Sequence, residues 1–231
     1  MRDKSRFLFD ITDSNIFPKY ADLNEAKNLL SKLENNYLII GTDEAGRGAL
    51  AGPVIAAAAY LNKEQECELL KLGLKDSKKL SHKQREKIFE AVNELKVLYA
   101  YSFINIEIIE RENILNASLT AMRRSVLKLL NKLNNKNICV IVDGNIRIKD
   151  LNLTQWPLVK ADLLIPAVSA ASVIAKVTRD NLMLRLGEIY KYYNFAKNKG
   201  YPVREHIEAI KLHGLSPVHR KFFCRKIINI K

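Results

Sequence analysis

The stretch Tyr37-Leu-Ile-Ile-Gly-Thr42, continued by Asp43-Glu44-Ala45 and then by Gly46-Arg47-Gly48-Ala49-Leu50-Ala51-Gly52-Pro53, decides the fold. Its first six residues are a short apolar and β-branched run, the pattern of a buried strand. The predicted strand ends at Asp43-Glu44, where the chain turns into its glycines. The glycine pattern superficially resembles a dinucleotide loop, but that motif needs a helix N-terminus immediately afterwards. Here Pro53 and the β-branched Val54-Ile55 predict a second strand over 54–61, and two acids before the glycines would repel a pyrophosphate. The glycines serve better to bring backbone close to a sugar or phosphate beside the acids. Neighbouring strand residues point to opposite faces, so Asp43 and Glu44 reach one site only if the strand ends or bends there.

Outward from this stretch, Asp22 and Glu25 are spaced as a capping box for a helix carrying Leu23, Ala26, Leu29, Leu30 and Leu33 on one stripe, ended by Asn35-Asn36. Residues 1–36 therefore read as an N-terminal appendage with one helix, 37–193 as the core, and 194–231 as a helical, basic segment packing on it. After the second strand a polar loop runs through Asp76-Ser77-Lys78-Lys79, and a helix is predicted over about 81–95. A third strand follows at 97–104, helical stretches at about 106–112 and 116–133, and a fourth strand at 138–142 ending in Asp143. Leu158-Val159-Lys160 reads as a short fifth strand, with Asp162 just beyond it. A long helix over about 166–193 carries Pro in its first turn, where it is tolerated, and a shorter one covers about 203–212. The fold class is α/β, a mixed five-stranded sheet flanked by helices with a C-terminal helical extension.

Composition narrows the function. The 231 residues are 48% hydrophobic and 27% charged with nine Gly and six Pro, an ordinary globular balance that needs no disulfide or structural metal. The longest apolar run falls short of a membrane helix, and the charged start is followed by no signal-peptide apolar region. Cys67, Cys139 and Cys224 are odd in number and far apart, so they form neither a disulfide framework nor a CxxC site; a reduced, cytoplasmic setting is expected, with Cys139 in the core. Thirty-eight Lys and Arg against twenty-five Asp and Glu give a net charge of +13, which points to a polyanion partner. A monomer away from membranes is expected.

Three predicted strands finish in acid: Asp43-Glu44, Asp143, and Asp162 just past the last. A single acid after a strand ordinarily forms a turn or caps a helix, and Asp143-Gly144 is a common turn pair. Together they fall at strand carboxyl ends, where open α/β sheets place their functional crevice. Converging carboxylates raise one another's pKa unless a cation neutralises them. Hard divalent ions, Mg²⁺ or Mn²⁺, suit such oxygen sites, and two of them could activate water at a phosphodiester.

Ser77 and Lys78 are candidates for backbone phosphate contacts, which position a duplex without reading its sequence. Tyr190-Lys-Tyr-Tyr-Asn-Phe195 through Lys197, Lys199 and Tyr201 interleaves aromatics and amines as nucleic-acid surfaces do, although most of these rings suit the core equally and Tyr201 alone is singled out. Lys176 and Arg179 share a helix face and suit either phosphate or a structural ion pair. His82, His206, His213 and His219 show no triad or metal-ligand spacing and read as structural or phosphate-adjacent.

Gly41-Thr-Asp-Glu-Ala-Gly-Arg-Gly48, continued by Leu50-Ala-Gly-Pro-Val54, resembles the signature of type 2 ribonucleases H, specifically bacterial ribonuclease HII. Further matches are Asp76-Ser-Lys78, Val142-Asp-Gly144, Lys160-Ala-Asp162, Ser169-Ala-Ala-Ser172, Ala175-Lys-Val-Thr-Arg-Asp180, Lys199-Gly-Tyr201, Glu205-His206 and Pro217-Val-His-Arg220, spanning about 38–223. The resemblance implies a ribonuclease H-like fold and hydrolysis of the RNA strand of RNA–DNA hybrids, and of ribonucleotides embedded in duplex DNA on their 5′ side, leaving 3′-hydroxyl and 5′-phosphate. It implies that Asp43, Glu44, Asp143 and Asp162 are the catalytic, metal-binding acids. It also implies that Gly46-Arg47-Gly48 meets the ribonucleotide 2′-hydroxyl through backbone groups and that Tyr201 stacks on the following deoxyribose. The 2′-hydroxyl is what tells RNA from DNA at one site. The chain departs from the family pattern at Ala161, Leu163-Leu164-Ile165, Asn198 and Pro202, none of which is a catalytic group. The competing expectation is a non-catalytic basic duplex-binding protein.

Overall fold

The computed structural model describes residues 18–74, 80–133 and 137–228, so the Asp76-Ser77-Lys78 motif lies outside the described residues. In chain order the elements are α1 (Leu23–Glu34), β1 (Leu38–Ala45), β2 (Val54–Tyr60), α2 (Lys63–Lys71), α3 (His82–Glu94), β3 (Leu98–Ile104), α4 (Ile106–Glu112) and α5 (Ile114–Leu130). They continue as β4 (Ile138–Asp143), β5 (Thr154–Leu158), α6 (Ala161–Leu164), α7 (Pro166–Ile189), a 3₁₀ turn (Lys191–Tyr193), α8 (Phe195–Asn198), α9 (Arg204–His213) and α10 (Lys221–Cys224). The five strands form one mixed sheet in the order β3-β2-β1-β4-β5, in which β1 runs antiparallel to β2 and parallel to β4.

The middle strands are covered on both faces, which is why they read as continuous apolar runs. On one face Ile40, Val54, Ala56, Ala58, Val140 and Val142 pack against Met122, Val126 and Leu129 of α5. On the other, Ala57 and Ala59 meet the Ala170–Val177 portion of α7, with Ile88 and Val92 of α3 alongside. The alanines of β2 let both helices lie close to the sheet. Gly41 takes this furthest: a Cβ there would stand 2.3 Å from the backbone of Ala167 and Val168. The start of α7 thus rests directly on β1, which brings Ser172 over the strand's carboxyl end.

Several predicted elements lie where expected. Asp22 caps α1 in a reciprocal box with Glu25, and Ser81 does the same for α3 with Gln84. Cys139 is buried, Cys67 is exposed, and no helix among the described residues is long and apolar enough to cross a membrane. Others are corrected. The first strand does not stop at the acids but runs through them to Ala45, with Asp43 opposite Ala57 and Glu44 opposite Ala56 on β2. Helix α2 occupies part of what read as a polar loop. The fifth strand is Thr154–Leu158, not 158–160: Pro157 obscured it, yet Pro is accommodated because β5 is an edge. Lys160 has φ 60° and opens α6, so Asp162 sits in a short helix.

Candidate active site

A cavity of about 470 Å³ opens at the carboxyl ends of β1 and β4. Asp43, Glu44 and Asp143 form its acidic wall, the glycine loop Gly46-Arg47-Gly48 its rim, and Arg85, Ser172, Lys176 and Tyr201 the remainder. The sheet register explains the acids. Thr42 of β1 is level with Val142 of the parallel β4, so the next residue on each, Asp43 and Asp143, stand side by side. Asp43 is 3% exposed and lies on the α7 face of β1, while Glu44 points to the α5 face yet lines the same cavity because the sheet ends there. Asp143 also caps: its Oδ1 accepts the Ala161 N–H at 2.8 Å and fixes the start of α6. Asp162, on that helix, is fully buried and is not part of the cavity lining, although its charge acts on Asp43.

The Asp43 carboxyl is held well above the ordinary carboxylate range. Burial is the main cause, followed by the charges of Glu44, Asp143 and Asp162, while a hydrogen bond from Ser172 partly offsets them. The Glu44 N–H donates to Asp43 Oδ1 at 2.7 Å, and Arg47 Nη1 lies 3.3 Å from Glu44 Oε1. Among the described residues no three histidine, cysteine or carboxylate side chains close around one point as a ready ligand shell. The donor set nonetheless fits a hard divalent cation: it is all carboxylate oxygen, carries excess negative charge, and faces an open cavity with room for the waters such ions keep.

The glycine loop is held from behind by two fully buried arginines. Arg179 donates from Nε to Pro53 O (3.1 Å), from Nη2 to Ala51 O (3.0 Å) and from Nη1 to Lys199 O (2.9 Å). Arg220 donates from Nε and Nη2 to Gly52 O (3.0 and 2.8 Å) and from Nη1 to Arg47 O (3.0 Å). Burial, and then Arg179, push the Arg220 guanidinium down to about 9. Gly46 has φ +98° and a Cβ on it would fall 2.0 Å from Arg179 Nε, whose three carbonyl partners leave it no easy retreat. Around Gly48 no atom lies within 4 Å of that position. Gly46→Ala is therefore expected to destabilise the protein by about 2–4 kcal/mol, whereas Gly48→Ala leaves urea unfolding unchanged and lowers only activity. Equal losses of stability in the two variants would contradict this.

Tyr201 reaches the cavity from a turn in which Lys199 and Gly200 have φ of 52° and 80°. Its ring lies 5.1 Å from Lys176 Nζ and 5.2 Å from the Arg179 guanidinium. Lys176 also pairs with Asp180 at 2.8 Å, so it is at once an ion-pair member and part of the cavity wall. Of the neighbouring rings, Tyr193 and Phe195 are core, and exposed Tyr192 stacks on His213. Arg85, Ser172 and the clamping roles of Arg179 and Arg220 were not singled out from sequence, because each depends on contacts between distant segments.

His206 and His219 are buried together, Nε2 to Nε2 at 3.0 Å. Burial lowers both below the ordinary histidine range, and the neighbouring His206 helps bring His219 to about 4. The native state thus refuses protons that the unfolded chain accepts, so stability falls as pH drops below about 6.5, with His219 contributing up to about 1.4 kcal/mol per pH unit until about 4 and His206 adding in the same direction. Unfolding midpoints followed from pH 7.5 to 4.5 should fall more steeply for the wild type than for His219→Phe; parallel curves would contradict this.

The ribonuclease HII family model matches residues 40–226. The chain is 49% identical over 191 residues to the ribonuclease HII of Fusobacterium nucleatum, covering 82% of this chain and 87% of that one. The crystal structure of ribonuclease H2 from Pyrococcus horikoshii OT3 superposes with a TM-score of 0.65 at 29% identity, over 83% of this chain and 97% of that chain. The RNase HII of the PCNA complex from Archaeoglobus fulgidus does so with 0.67 at 25%, over 84% and 97%. With its mixed sheet, acidic cavity and these relatives, the chain belongs to the ribonuclease HII family and is a metal-dependent endoribonuclease.

Proposed function

We propose that this enzyme hydrolyses the RNA strand of RNA–DNA hybrids and cuts on the 5′ side of ribonucleotides embedded in duplex DNA. The bond from phosphorus to the 3′ oxygen of the preceding nucleotide breaks. The attacking water's oxygen stays on the 5′-phosphate, and the departing oxygen takes up a proton as a 3′-hydroxyl. The observation that carries this reading is the convergence of Asp43, Glu44 and Asp143 with the glycine loop and Tyr201 around one open cavity in a chain of net charge +13.

Asp43, Glu44, Asp143 and Asp162 would hold Mg²⁺ or Mn²⁺, two ions during the reaction. Bound there, such ions supply an activated water and stabilise the leaving oxygen. The chain's own groups do the rest. With the carbonyls of Arg47, Ala51, Gly52 and Pro53 turned back to the two arginines, the loop around Gly46-Arg47-Gly48 is pre-set to meet a 2′-hydroxyl with backbone groups. Tyr201 stacks on the deoxyribose that follows. Lys176 and Arg85 face the phosphates, and Ser77 and Lys78 contact the duplex backbone.

The test is cleavage of an end-labelled DNA duplex carrying one ribonucleotide, with all-DNA duplex, EDTA and Asp43→Asn as controls. A metal-dependent cut just 5′ of the ribonucleotide, lost in the variant, is expected. Activity on long hybrids without that cut would remove the roles of Gly46-Arg47-Gly48 and Tyr201. Binding without any cut would leave a duplex-binding protein.

A further inference from the structure

The turn that delivers Tyr201 is fixed from both sides. Upstream, Asn198 accepts the Gly200 N–H on its side-chain oxygen (2.8 Å), donates from Nδ2 to Tyr193 O (2.6 Å), and takes the Tyr201 N–H on its own carbonyl (3.0 Å). Downstream, the Tyr201 carbonyl accepts two hydrogen bonds, from Val203 N–H (2.9 Å) and from His206 Nδ1 (2.9 Å). The second continues a chain that starts at half-buried Ser216 and passes through two buried histidines. Ser216 presents its backbone N–H at 2.9 Å, and its hydroxyl at 2.7 Å, to Nδ1 of His219, and the two histidines meet through Nε2.

Both ends of this chain have fixed polarity. The Ser216 N–H can only donate, so His219 Nδ1 is an acceptor and its proton is on Nε2. The Tyr201 carbonyl can only accept, so His206 carries its proton on Nδ1. One proton then lies between the rings, given by His219 Nε2 and taken by His206 Nε2. An added proton would set two N–H groups against each other. The rings of Tyr193 and Phe195 pack around the pair and exclude water. An apolar pair would fill this space without the cost of burying polar atoms, and the chain of donors ends on the one residue of the segment that lines the cavity.

We propose that Ser216, His219 and His206 are positioning residues: their one-way hydrogen-bond chain fixes the Tyr201 backbone and thereby sets the preference for a ribonucleotide followed by deoxyribose. This rests on the reading of Tyr201 given above. The readout is the ratio of kcat/KM on duplex DNA containing one ribonucleotide to kcat/KM on a uniform RNA–DNA hybrid, measured with Mg²⁺ or Mn²⁺. Tyr201→Ala is expected to lower the ratio most. His206→Leu lowers it roughly ten-fold, the scale of one hydrogen bond lost at a buried group. His206→Asn, which keeps a donor near the Nδ1 position, recovers most of it. A role in packing alone would make Leu and Asn alike, or lower both substrates together.

If Tyr201→Ala leaves the ratio unchanged, the reading of Tyr201 falls and this proposal with it. If Tyr201→Ala lowers the ratio but folded His206→Leu does not, the histidine chain alone is overturned. Nitrogen-15 NMR of the wild-type protein at neutral pH tests the chain without any variant. It should find His206 protonated on Nδ1 and His219 on Nε2, and the opposite pair of tautomers would overturn the proposal.

Discussion

Asp43→Asn is expected to lower cleavage by at least about a hundred-fold and, in EDTA at neutral pH, to raise the unfolding temperature. The two effects have opposite signs because the carboxylate proposed to serve the chemistry is disfavoured by folding. Asp43 is 3% exposed, and its acidic neighbours and burial hold its pKa well above the ordinary value. A carboxyl raised in the native state stabilises the fold while protonated, and that stability is lost as pH rises through the native value. Asn keeps an oxygen for the Glu44 N–H and removes the charge. A gain of about 1–2 kcal/mol corresponds to about 2–8 °C for a chain of this size. The advantage should shrink as pH falls through the native pKa of Asp43. Adding Mn²⁺ should raise the wild-type unfolding temperature more than the variant's, since a ligand that binds only the folded state stabilises it. A variant that cleaves normally, or that is folded but less stable than wild type in EDTA, would defeat the argument.

The second large effect is expected at Arg220. Arg220→Met leaves the buried Gly52 carbonyl, which takes two of the arginine's three hydrogen bonds, and the half-buried Arg47 carbonyl without those donors. Leaving a buried acceptor without a partner costs about 1–3 kcal/mol and a half-buried one less, so a loss of about 1–4 kcal/mol is expected. Arg220→Lys should recover little, because an ammonium cannot reproduce the planar fork that spans two carbonyls. Cleavage at a single ribonucleotide, assayed well below the unfolding temperature, should fall as well, since the carbonyl of Arg47 belongs to the loop proposed to meet the sugar. Urea unfolding within about 1 kcal/mol of wild type would show that the clamp contributes little.

Local chemistry made much of this fold legible. The Asp22–Glu25 box placed the start of α1, and the run ending in Asp143 placed β4. The same rule was available for α2, whose Asn62 and Gln65 form a capping box, but the charged stretch after it reads as loop when its apolar stripe is thin. Strand β5 was displaced because Pro157 is a breaker everywhere except at an edge, and edge position is a property of the whole sheet. The acids were legible because they end apolar runs. That Asp162 would stand apart from the cavity lining was not, because a left-handed Lys160 redirects the chain just before it. Arg179 and Arg220 were legible only as members of motifs; their carbonyl partners lie well over a hundred positions away in most cases, and no spacing rule reaches that far.

The clamp on the glycine loop also bears on when this enzyme becomes active. Gly52 is held by a side chain 168 positions further along the chain. A ribosome therefore releases the acids and the loop long before it makes the residue that shapes them. The growing polypeptide carries Asp43, Glu44 and Asp143 through most of its synthesis with the glycine loop unbraced. The bonds that brace the loop can form only after translation of the Val218–Arg220 region, whose backbone also takes the Gly52 N–H and reaches Leu50. A ribosome stalled upstream of that region would hold the glycine loop without any of these bonds.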